Sequence, residues 1–173
     1  MEHLRQFVIP FGGLKPGTHH FSFEIDDKFF EHFEHSEIRK GNFIVEVLLE
    51  KEEKVLNFGF TISGSAEVTC DRCGEPFRLP FNGTERLIVK FGENYHEEND
   101  EVQIIPLGEN NLDVSPFIYE YVHLLLPARR VHPEDGQGFS HCDPEIIKRI
   151  EEQDPATGTD PRWEALKKLQ SKN

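Results

Sequence analysis

The residues best equipped for chemistry in this chain are Cys70 and Cys73, set three positions apart in "VTCDRCGEPF", with one further cysteine, Cys142, in the whole sequence. Two sulfurs at that spacing on a tight turn can face one tetrahedral ion, and zinc in a structural role then needs two more protein ligands. The stretch "RRVHPEDGQGFSHCD" supplies candidates in His132, His141 and Cys142. A zinc site of Cys70, Cys73, His132 and Cys142, with His141 as the alternate histidine, is chemically coherent, although the spacing from His132 to Cys142 fits no standard second knuckle. Reduced thiols without a ligand are the competing reading, and a redox pair is the third. A reactive dithiol has its first cysteine at a helix N-terminus, where the dipole lowers the thiol pKa. Here "AEVTC" precedes the pair and "EPFRLP" follows it, which is strand and turn grammar, and Asp71 and Glu75 oppose a thiolate.

The elements that must position these residues can be read from periodicity. "RQFVIPF" and "GTHHFSFEID" are expected as strands, the second with Phe21, Phe23 and Ile25 on one side. Asp26 or Asp27 then caps a short helix carrying Phe29, Phe30 and Phe33. Two strands follow about a polar turn at Lys51 to Lys54, with Phe58, Phe60 and Ile62 on one face, which Val68 and Cys70 continue if Gly64 is only a bend or bulge. "EPFRLPFNGTERLIVKFG" gives a further strand, or a pair about the Asn82-Gly83 turn signal. Glu93 to Glu101 has no apolar periodicity and is expected as a mobile acidic loop, followed by the strand "VQIIPL". "LDVSPFIYEYVHLLLP" predicts the main helix, capped by Asp113 or Ser115, with Phe117, Tyr121, Leu124 and Leu125 at helical spacing and Pro127 as its stop. "PEIIKRIEEQ" and "DPRWEALKKLQ" predict two short helices, the last docking through Trp163, Leu166 and Leu169. The sum is an α+β fold: a mainly antiparallel β-sheet, a long helix after the CxxC region and a short C-terminal helix. Residues 1–155 are expected as a single domain with the acidic loop at 93–101, and residues 156–173 as a linker and docking helix.

Charge narrows the function classes. A net charge of -13 works against long-range attraction to nucleic acid or anionic lipid. Its distribution is uneven: Glu93 to Glu120 carries eight acidic residues and no Lys or Arg, whereas Pro161 to Asn173 carries Arg162, Lys167, Lys168 and Lys172 against Glu164. Arg72, Arg129, Arg130, Arg162, Lys167 and Lys168 are therefore the candidates for contact with RNA or a partner. The plainer readings stand beside this: Arg72 can pair with Glu75, and most charge runs are solvated faces. No His-Glu-x-x-His, Gly-x-Ser-x-Gly or phosphate-binding Gly-x-x-x-x-Gly-Lys pattern occurs, so an enzyme is not expected. With no apolar run of membrane length and no export signal pattern in "MEHLRQFVIPFGG", a cytoplasmic location without disulfides is expected.

Four motifs in order resemble the bacterial YceD family, the large ribosomal RNA subunit accumulation proteins. The likeness covers roughly Ala66 to Leu169 and rests on Cys70, Arg72, Cys73, Pro76 and Phe77, on Asp113, Leu126 and Pro127 framing the helix, on His132 and Cys142, and on Asp160, Pro161 and Arg162. Two departures stand out. Gly74 occupies a position where leucine is usual, and the His132–Cys142 loop lacks the two closely spaced Cys pairs of members equipped to complete a zinc site. The resemblance implies a non-enzymatic factor for the synthesis, processing or stability of large-subunit ribosomal RNA. A ribosomal protein or precursor particle is the expected partner, recruited in part by the acidic loop; a direct RNA-binding module is the alternative, and a zinc-dependent enzyme the remaining one.

Overall fold

The computed structural model describes residues 3–134, 136 and 140–153. The described residues divide into two compact units, one formed by those up to Thr69 with Pro76–Arg130 and the other by Cys70–Glu75 with those from Val131 onward.

The larger unit is built on a six-stranded sheet. After a 3₁₀ turn at His3–Phe7, β1 (Val8–Ile9) and a second 3₁₀ turn at Phe11–Gly13 come β2 (Gly17–Ile25), α1 (Asp27–Glu31), β3 (Gly41–Lys51), β4 (Val55–Thr69) and β5 (Pro76–Gly92). β6 (His96–Asn99), β7 (Val102–Pro106), β8 (Leu112–Asp113) and α2 (Ser115–Leu124) follow. The strand order is β2-β3-β4-β5-β7-β6, antiparallel except for the parallel β5–β7 pair, and β1 pairs separately with β8. The α+β architecture and the dominance of antiparallel strands agree with the sequence reading.

Strict alternation explains why one face is buried. Phe43, Val45, Val47 and Leu49 of β3 lie opposite Gly64, Ile62, Phe60 and Phe58 of β4, so apolar residues pair on one side of the pleat while Glu46 and Glu50 point to water. The aromatic rings of Phe7, Phe29 and Phe30 and the α2 residues Ile118, Tyr121 and Val122 complete one core cluster. Asp26 caps α1 by accepting from the Phe29 amide at 3.3 Å.

Several expectations are corrected. "RQFVIPF" gives only the two-residue β1, because the residues before it form the 3₁₀ turn that buries Phe7. The acidic segment 93–101 is not a loop throughout: its middle is β6, paired antiparallel with β7, and Lys90–Glu98 (2.8 Å) and Arg86–Glu101 (2.7 Å) ion pairs neutralise part of its charge. The long helix has ten residues, and no side chain caps it at Val114, although Asp113 accepts from both the amide and the hydroxyl of Ser115. Its buried face is Ser115, Ile118, Tyr121 and Val122, and Leu124 is 66% exposed. The C-terminal docking helix with Trp163, Leu166 and Leu169 lies outside the described residues.

Asn82-Gly83 makes no turn, and Gly64 makes no bulge. β5 runs unbroken through Gly83, and the β3–β4 register passes Gly64 without a shift. Each glycine instead makes room. A Cβ at Gly64 would sit 2.2 Å from the Asn42 carbonyl oxygen, whereas one at Gly83 would meet a terminal methyl of Leu125 at 2.2 Å. Backbone cannot yield as a methyl can. Gly64→Ala should therefore cost about 3 kcal/mol, the upper part of the overpacking range, and Gly83→Ala about 1 kcal/mol. Urea denaturation of the two variants measures the difference, and equal costs would contradict it.

The smaller unit holds the Cys70–Glu75 turn, an isolated antiparallel bridge between Glu134 and Ser140, and α3 (Pro144–Gln153). Asp143 accepts from the Glu145 amide at 2.8 Å at the start of α3. No described helix in either unit is long and apolar enough to cross a membrane.

Candidate metal centre

The smaller unit closes on its three cysteines. In the first segment, the Cys70 amide donates to the Glu75 carbonyl and the Gly74 amide to the Cys70 carbonyl, each at 2.9 Å, which folds "CDRCGE" into a tight turn. Gly74 has φ +79°, a left-handed conformation that glycine adopts without a Cβ penalty. Glycine at position 74 thus suits the turn. In the second segment, the Glu134–Ser140 bridge and the bond from the His141 amide to the Pro133 carbonyl (3.3 Å) pinch the loop at its base. That pinch brings His132 and Cys142 together despite their separation in sequence.

The ligand atoms of Cys70, Cys73, His132 and Cys142 all lie within 4.8 Å of one another. Cys70 Sγ is 3.7 Å from Cys142 Sγ, Cys73 Sγ is 3.4 Å from His132 Nδ1, and Cys142 Sγ is 3.7 Å from the same nitrogen. These spacings can be tested against a tetrahedron. With zinc–sulfur bonds of about 2.3 Å and zinc–nitrogen bonds of about 2.0 Å, its edges are about 3.8 Å between sulfurs and about 3.5 Å between sulfur and nitrogen. The donor set and its spacing fit a zinc ion. The same sulfur–sulfur distance is far beyond a disulfide bond of about 2.05 Å, and all three cysteines are free.

Electrostatics around the sulfurs are unequal. Burial raises the Cys70 thiol, but backbone amides of Cys73, Arg72 and His132, together with the His132 ring, lower it by more and bring it to about 6. At Cys142 the Ser140 hydroxyl lowers the thiol, yet burial and the adjacent Cys70 and Cys73 sulfurs raise it by more, so the net shift is upward. Cys70 therefore gives up its proton more readily than Cys142 does. A divalent cation among them would replace those protons and remove the repulsion between thiolates.

Of the other residues nominated from sequence, His141 is exposed and stays outside the cluster. Arg72 is exposed and makes no ion pair among the described residues, so the Glu75 pairing is not formed. Arg129 is exposed, and Arg130 pairs with Glu37. Arg162, Lys167 and Lys168 lie outside the described residues. Sequence reasoning missed Gly74 and Ser140 as supports of the centre. The signal for Gly74 was available in Cys-x-x-Cys-Gly; nothing local marked Ser140.

Nothing among the curated proteins or the solved structures matches the chain. Residues 58–170, which span both cysteine-bearing segments, match the family model described as Large ribosomal RNA subunit accumulation protein YceD, and the chain belongs to that family.

Proposed function

We propose that this protein is a cytoplasmic, non-enzymatic factor that supports accumulation of large-subunit ribosomal RNA by binding a ribosomal protein or precursor particle, with a structural zinc held by Cys70, Cys73, His132 and Cys142. The family match over residues 58–170 carries the first part, and the gathering of the four ligand atoms within 4.8 Å of one another supports the second. Three sulfurs and one ring nitrogen fill the four positions of a tetrahedral zinc. A closed set of this kind leaves no position for water or substrate, which favours a structural role over a zinc-dependent enzyme. A strongly acidic chain also favours a basic protein partner over naked RNA, because each phosphate meets an unfavourable field.

Capture of the intact protein from lysate, with and without nuclease, tests the partner reading. Large-subunit proteins or precursor particles should remain bound after nuclease. Arg72, exposed and without an ion pair among the described residues, favours direct RNA contact as the second reading. Should capture vanish with nuclease, purified protein would bind RNA with steep salt dependence, and Arg72→Ala with Arg129→Ala would lower the salt slope by about one each.

A further inference from the structure

We propose that the free edge of β2 captures an extended Lys/Arg-rich segment of a partner protein by strand addition, with one basic side chain entering the depression beside Glu24 and Ile44. The inference deepens the partner-binding reading and rests on it for the kind of partner. The six-stranded sheet has two edges, β6 and β2. They are treated differently. β6 has four residues and a register irregularity between Glu97 and Asn99, both of which discourage pairing. β2 has nine residues, no Pro or Lys, and an unbroken register with β3.

Alternation identifies which groups of β2 are open. The Glu67 amide bonds the Lys40 carbonyl, and the β3–β4 register continues from that pair without a shift. Even-numbered residues of β3 therefore direct their backbone groups to β4 and odd-numbered ones to β2. In β2 the odd residues, partners of odd residues in β3, are the bonded ones. Thr18, His20, Ser22 and Glu24 point their N–H and C=O groups outward, and all four residues are exposed. No other described residue bonds those backbone groups. This is the geometry that β-augmentation uses.

Charge indicates the occupant. On the outer face beside this edge stand Glu24 of β2 and Glu46 and Glu50 of β3, and Asp26 and Asp27 follow directly. At that end lies a depression of about 470 Å³ whose walls include Glu24, Asp26, Asn42, Ile44 and Ser63. Glu24 makes no ion pair among the described residues, and Ile44 is 52% exposed. A lysine or arginine would lay its aliphatic stem on Ile44 and its cation against Glu24. A second copy fits less well, because β2–β2 pairing would bring together two such acidic edges on chains of net charge -13.

The test uses the purified full chain and a capped heptapeptide of alternating lysine and valine, with the glutamate–valine heptapeptide as control. The basic peptide should bind and slow amide exchange of Thr18, His20, Ser22 and Glu24 about tenfold or more, leaving β6 unchanged. Ser22→Pro deletes an outward N–H that β3 does not use, a placement an edge strand tolerates, and should weaken binding about tenfold, as Glu24→Gln should. Binding without protection of those four amides would reduce the effect to charge adsorption and overturn the proposal, whether or not Ser22→Pro folds. Protection that rises with protein concentration and needs no peptide would assign the edge to a second copy and overturn it equally. Because the assay contains no ribosomal component, its failure leaves capture of large-subunit particles from lysate standing, and failure of that capture leaves this assay interpretable.

Discussion

Protein purified without chelator should carry one zinc per chain by elemental analysis, and Cys73→Ser or Cys142→Ser should carry none. The expectation is large because of what the smaller unit lacks. Its buried apolar residues, among those described, are Cys70, Cys73 and Cys142, whereas the aliphatic and aromatic core belongs to the larger unit. A segment with so little to bury needs another source of order. Zinc sites of this type supply apparent binding free energies of about 10–16 kcal/mol near neutral pH, which is then free energy of folding. Chelation should abolish amide protection in α3 and around His132 while the β3–β4 amides stay protected, since their core contains no ligand residue. His132→Cys should retain the metal, because four thiolates satisfy the same tetrahedron. Three titratable thiols, no zinc and unchanged protection in α3 after chelation would make the cluster a packed turn and end the metal reading.

How far this was legible beforehand differs between the parts. The strands were readable where alternation is strict: Phe43 to Leu49 and Leu56 to Ile62 each announce a buried face. Cys70 and Cys73 carried half of the centre, since two sulfurs at that spacing share a turn. The other half was nominated but could not be fixed to His132 over His141, because the choice depends on the Glu134–Ser140 bridge, a contact with no local signature. Asn82-Gly83 misled for a related reason. A turn dipeptide is a local preference, and tertiary packing of Leu125 over Gly83 outweighs it. The acidic stretch was misjudged because β6 is held by pairing and by cross-strand ion pairs, not by an apolar face that periodicity detects. For α2 the period was right and the face was right only in part: Tyr121 is buried and Phe117 and Leu125 pack against the core as expected, but Ile118 and Val122 share that side and Leu124 is exposed.

The larger unit should be most sensitive at Phe60. Its side chain is 1% exposed and packs edge-on against Tyr121 of α2 with ring centroids 5.2 Å apart, so it joins the centre of the sheet to the helix across the core. Phe60→Ala removes a whole ring from a close-packed site and leaves a cavity that β4, hydrogen-bonded on both sides to β3 and β5, cannot collapse to fill. The cost should be about 3–5 kcal/mol, a large share of the 5–15 kcal/mol typical of a whole domain. Tyr121 adds a separable term. Its hydroxyl donates to the Arg86 carbonyl at 3.3 Å, a long bond, so Tyr121→Phe should cost only about 0.5–1 kcal/mol. A double-mutant cycle of Phe60→Leu with Tyr121→Leu should return a coupling of about 0.5–1.5 kcal/mol from the ring pair. Urea midpoints at constant slope supply all four corners. A Phe60→Ala cost under about 1 kcal/mol, or no coupling to Tyr121, would mean that α2 is not held to the sheet through this pair. Zinc content should not change across the series while the chain stays folded, because Phe60 and Tyr121 belong to the larger unit and the four candidate ligands to the smaller one.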